Sequence, residues 1–84
     1  MNHQIIMINT IEKVKTFVSM IESYHINGFL SSMDHSSIIP AHSIMGIFSL
    51  DLTSPLLFEY TGTLPPQELA PFLTVLQKEE DYEI

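Results

Sequence analysis

Ile11, Val14, Val18 and Ile21 recur at intervals of three and four residues, with Phe17, Met20 and Tyr24 beside them, and on both sides of this stripe the apolar residues follow a strand pattern instead. A chain that changes period in this way must build a sheet and lay helices against it. Residues 5–8 form a continuous apolar run, β-branched except at Met7, of the kind found in buried strands. Asn9 with Glu12 three residues later has capping-box spacing, so the stripe predicts a helix over 10–24, stopped soon afterwards by Asn27 and Gly28.

From Gly28 the residues alternate, Phe29, Ser31 and Met33 against Leu30, Ser32 and Asp34, which predicts a half-buried strand. Asp34, His35 and Ser36 then read as a turn, and residues 37–39 as a short return strand ended by Pro40. Ser43 precedes the apolar segment 44–50 and predicts a short capped helix; Thr53, Ser54 and Pro55 break it, and residues 56–60 are strand-like before Thr61 and Gly62 turn the chain. Leu69, Phe72, Leu73 and Leu76 stand at i, i+3, i+4 and i+7, a helical stripe. Pro71 interrupts it, which predicts either an irregular first turn with the helix proper from Ala70, or a kink. Residues 79–83 read as an acidic tail.

The expected order is β-α-β-β-α-β-α, and helices on one side of a small antiparallel sheet satisfy strands that want one buried face. The fold class is therefore α+β, a two-layer open-faced sandwich. With 84 residues the chain has room for one domain with one modest core. No cysteine is present, so neither disulfides nor thiolate metal sites contribute, and burial alone must hold the fold.

Ten acids against three lysines give a net charge of −7, which repels phosphate backbones and anionic headgroups and argues against nucleic acid and membrane surfaces as partners. The N-terminus lacks a basic region followed by a long apolar stretch, and no apolar run reaches the ~20 residues of a membrane span, so a cytoplasmic location is expected. His3, His25, His35 and His42 show neither an i, i+4 pair nor a His-Glu cluster, and no metal or cofactor is expected. His42, Ser43 and Asp51 include the letters of a hydrolytic triad, but adjacent residues at a helix start cannot aim at one another and no Gly-rich elbow accompanies them, so hydrolysis is set aside.

The segment Ala41, His42, Ser43, Ile44, Met45, Gly46, Ile47, Phe48, Ser49, Leu50 resembles HPr, the histidine-containing phosphocarrier family of the bacterial sugar phosphotransferase system, which carries Ala-Lys-Ser-Ile-Met-Gly, a hydrophobic pair and Ser-Leu. The element order looks like that family across nearly the whole chain. The resemblance implies a single HPr-like domain over 1–84, with sheet order first-fourth-second-third strand and all three helices on one face. It also implies that Ser43 matches the serine phosphorylated by a regulatory kinase in Gram-positive bacteria. Matching Phe17 and Val18 to the Phe-Val of the family's first helix places Thr10 at the phosphoacceptor histidine, with Ile11, Glu12 and Lys13 in place of the Ala-Arg-Pro that follows it. A threonine hydroxyl and a carboxylate supply neither the nucleophile nor the cation that phosphoryl transfer to imidazole uses. The pattern looks like a divergent, non-enzymatic paralogue, similar to the catabolite-repression HPr proteins. Its partner would be a phosphotransferase-system enzyme, a serine kinase or a transcription regulator, bound through the short helix at Ile44, Met45, Ile47 and Phe48, of which Ile44, Met45 and Phe48 are implied to face outward. A carrier that uses another acceptor residue, and an HPr-fold module recruited to an unrelated complex, are the alternatives.

Overall fold

The computed structural model describes residues 1–73. Its elements are β1 (Asn2–Ile6), α1 (Ile11–Ser23), β2 (Asn27–Ser32), β3 (Ile38–Pro40), α2 (Ile44–Phe48), β4 (Leu56–Thr61) and α3 (Pro66–Leu69), followed by a 3-10 turn at Ala70–Phe72. The four strands form one antiparallel sheet in the order β1-β4-β2-β3, the open-faced α+β arrangement and strand order expected above. Register pairs Ile5 with Leu57, Phe29 with both Glu59 and Pro40, and Ser31 with both Leu57 and Ile38.

Alternation along the strands turns Ile6, Leu30, Leu56, Phe58 and Tyr60 to one face, where they join Val14, Phe17, Val18 and Ile21 of α1, Ile47 of α2, Leu69 of α3 and Phe72 in a single core. Aromatic rings set its centre. Phe17 meets Phe58 edge-on at 5.0 Å between centroids and Phe72 at 5.5 Å, while Phe58 stacks on Tyr60 at 4.4 Å. The stack lies over Gly28, where an added Cβ would sit 2.7 Å from the Glu59 carbonyl oxygen and 2.8 Å from Tyr60 Cβ, so only glycine lets β2 and β4 approach beneath the rings.

Local signals shift several boundaries. Thr10, not Asn9, caps α1, its hydroxyl accepting from the Lys13 N–H at 3.1 Å, so the Asn9–Glu12 capping box does not form. α1 ends before Asn27: His25 takes φ 52, and the N–H groups of His25 and Ile26 return to the carbonyls of Glu22 and Ile21, with Ile26 folded into the core. Asn27 is the first residue of β2 instead. β1 starts earlier than the apolar run, at Asn2, and Ile8 is buried just beyond it.

Pro40 closes β3 from within, a position open to proline because β3 is an edge strand. The largest difference is at the end. The helical turn precedes Ala70 rather than starting there, and after the 3-10 turn Leu73 is extended, bridging Ile6 while the Met7 N–H donates to the Phe72 carbonyl at 2.7 Å. Pro71 explains this, since it cannot donate to an α-helical carbonyl and the tighter turn does not ask it to. Leu76 and the acidic stretch 79–83 lie outside the described residues.

Candidate functional site

Ser43 caps α2. Its backbone is extended and its hydroxyl accepts from the Gly46 N–H at 3.1 Å, as the sequence pattern predicts. Ser43 is half-buried, whereas His42 beside it is exposed. At Gly46 an added Cβ would lie 2.9 Å from Ser43 Oγ and 3.2 Å from Ile39 Cβ, so the glycine both clears the cap and lets α2 lie directly on β3. Ser49 closes the other end, its hydroxyl donating to the Gly46 carbonyl.

A helix of five residues has too few positions for a polar face once its apolar residues are placed. Ile47 is fully buried and anchors the helix, with Ala41 and Leu50 buried on either side of it. That corrects the grouping of Ile47 with the partner-binding residues, because its side chain is spent inside the core. Met45 is 83% exposed, Ile44 42% and Phe48 45%, so these three share an apolar outer surface.

Thr10 is exposed at the start of α1, its hydroxyl engaged by the Lys13 N–H. Ile11 next to it is exposed and Glu12 contributes an exposed carboxylate, so the start of α1 presents no imidazole. Asp51 is committed to the turn before β4: its carboxylate accepts from the Thr53 hydroxyl at 2.6 Å, the Thr53 N–H at 3.1 Å and the Ser54 hydroxyl at 3.0 Å. These bonds, the Thr53 hydroxyl first, hold its carboxyl below the ordinary range, and they leave it no role as an orienter of His42. Among the described residues no group of three or more metal-ligating side chains converges, and no helix is long and apolar enough to cross a membrane.

One surface escaped the sequence reading. On the sheet face away from the helices lie Ile5, Leu57, Phe29, Ser31 and Ile38, with Phe29 49% and Ile38 58% exposed. The signal was present, since each strand carries two adjacent apolar residues, one for either face.

No family model matches the chain, and neither a curated protein nor a solved structure matches it.

Proposed function

We propose that this chain is a non-enzymatic, HPr-like regulatory protein of the bacterial cytoplasm that binds a protein partner through the outer surface of α2 and is switched by phosphorylation of Ser43. The observation that carries the reading is the exposure of Met45, Ile44 and Phe48 on a helix held down by Ile47 alone among its own residues. Such a surface contributes contact area to a partner at little ordering cost, because the helix is already fixed at its cap and its anchor. The resemblance in residues 41–50 supplies the partner class: a phosphotransferase-system enzyme, a serine kinase or a transcription regulator. Thr10 and Glu12, where the family has a histidine and an arginine, favour regulation over phosphoryl carriage.

A phosphate on Ser43 adds about −2 charge at pH 7 beside this apolar surface, enough to change which partner docks. The test is a side-by-side reaction with purified HPr serine kinase. Modification at Ser43 is expected, with at least a tenfold lower rate for Met45→Lys, and no acid-labile phosphate is expected when phosphoenolpyruvate and enzyme I replace the kinase. A kinase that modifies authentic HPr in the same tube and ignores this chain ends the switch proposal and leaves Ser43 as a cap.

A further inference from the structure

The chain has five methionines and no cysteine, so a thioether is the only sulfur it offers to an oxidant. Burial divides the five. Met20 is 7% exposed inside the core and Met7 is half-buried, whereas Met33 is 47%, Met1 71% and Met45 83% exposed. Met1 precedes β1 and Met33 follows β2, so neither belongs to a strand or helix. Of the three exposed methionines, Met45 alone stands on a helix.

Its place on α2 decides what oxidation does there. The helix is held at its start by the Ser43 hydroxyl, which accepts from the Gly46 N–H at 3.1 Å, and from beneath by the fully buried Ile47. Met45 takes part in neither. Its side chain belongs instead, with Ile44 and Phe48, to the apolar outer surface of the helix. A change of polarity at Met45 therefore alters that surface and leaves the helix in place.

We propose that Met45 is a site of reversible oxidation by peroxide, and that its sulfoxide closes the outer surface of α2 to an apolar partner. The proposal rests on the docking role given to that surface above. In the reaction a sulfur lone pair attacks one oxygen of hydrogen peroxide, the O–O bond breaks, and the departing hydroxide takes the proton left on the transferred oxygen. The products are sulfoxide and water, with sulfur oxidised and peroxide reduced by two electrons. Oxidation thus turns a flexible apolar side chain into a polar one with a strong acceptor oxygen. Buried against an apolar partner without a donor, such an acceptor weakens binding by roughly 5- to 150-fold. A phosphate on Ser43 acts on the same surface by charge, whereas the sulfoxide acts by polarity alone. Methionine sulfoxide reductases restore the thioether, so the change can be undone.

The test begins with a time course of the full chain in hydrogen peroxide, quenched with catalase and mapped by peptide mass spectrometry. Met45 should oxidise ahead of Met33 and at least about tenfold faster than Met20. The urea midpoint of the chain oxidised at Met45 should match that of the untreated chain. On a phenyl column, which presents an apolar partner with no sequence of its own, the oxidised chain should elute earlier, and most of that change should be absent from Met45→Leu. With purified HPr serine kinase the rate at Ser43 should fall at least about tenfold on oxidation and return after reductase treatment. Whatever its starting rate, Met45→Leu should show no such fall.

A kinase that ignores even the untreated chain ends the docking reading, and the mass map and the column then decide the proposal for Met45 by themselves. Oxidation of Met45 no faster than that of Met20, a urea midpoint that drops as Met45 oxidises, or unchanged column retention overturns the proposal. So does a kinase that modifies untreated and oxidised chains at one rate, and in that case the docking reading stands without it.

Discussion

Asp34 joins the β2–β3 turn by two acceptor bonds, from the Ser32 hydroxyl at 2.7 Å and the Ser36 N–H at 3.0 Å, while His35 between them takes φ 60. Those bonds, the Ser32 hydroxyl first, stabilise the carboxylate and hold its pKa down at about 2. The folded value lies below the unfolded one of about 3.9, so the turn's contribution to stability is complete above about pH 4 and is lost as pH falls through about 2. Thermal unfolding followed between pH 5 and 2 should therefore fall more steeply for the wild type than for Asp34→Asn, and a carboxyl resonance titrating near 4 would refute the assignment. At this scale the sequence was only partly legible. Asp34, His35 and Ser36 read correctly as a turn, yet nothing in the alternation, which continues through Asp34, said that β2 would end at Ser32 and turn its hydroxyl to Asp34. Likewise Asn9 and Thr10 are both good caps, and the choice between them depends on where α1 must start for Val14 and Phe17 to reach the core.

Among the elements, α2 shows what patterning can and cannot settle. Its existence and its start at Ser43 follow from the cap, but a helix of five residues shows no repeat of its own, so its burial could not be assigned from spacing. Packing decided the matter in favour of Ile47, through contacts of α2 with α1, which lies far away in the chain, and with the neighbouring β3. Gly46 records that contact. In an isolated helix Gly46→Ala would gain roughly 1 kcal/mol of propensity. Here the new Cβ meets Ser43 Oγ at 2.9 Å and Ile39 Cβ at 3.2 Å, so it disturbs a cap contributing about 1 kcal/mol and overpacks the α2–β3 contact at about 1–3 kcal/mol. The expected net loss in urea denaturation is about 1–3 kcal/mol, against a change within about 0.5 kcal/mol for the exposed Met45→Ala. Equal stability of Gly46→Ala and the wild type would show that α2 does not press on β3. The C-terminal segment was less legible for a related reason: Leu69 and Phe72 are buried as their spacing suggests, but Pro71 makes the route between them a 3-10 turn and releases Leu73 to pair with Ile6.

For the whole molecule, the order of strands and helices was readable because each element carries its own period, whereas the second apolar face of the sheet was passed over because runs such as 56–58 satisfy a one-sided strand equally well. The helix-side core must then carry the stability, since no disulfide assists it. A chain of 84 residues has roughly 4–13 kcal/mol in total. Phe17 is the residue on which that total most depends: it is fully buried, it belongs to α1, and its ring edges meet Phe58 of β4 and Phe72 of the closing turn, joining three parts of the chain. Phe17→Ala costs about 3–5 kcal/mol, the lost ring contacts included. The variant should unfold at a much lower urea midpoint than the wild type, with Phe17→Leu weakened by about 1–3 kcal/mol as shape complementarity is lost. Phe29→Ala, on the uncovered face, serves as the contrast. In dilute solution it should unfold at nearly the wild-type urea midpoint, because the ring it removes covers no helix-side core residue. If Phe17→Ala and Phe29→Ala shift the midpoint equally, the division of the sheet into a load-carrying face and an uncovered one is wrong, and the core assigned to the helix side does not account for the fold.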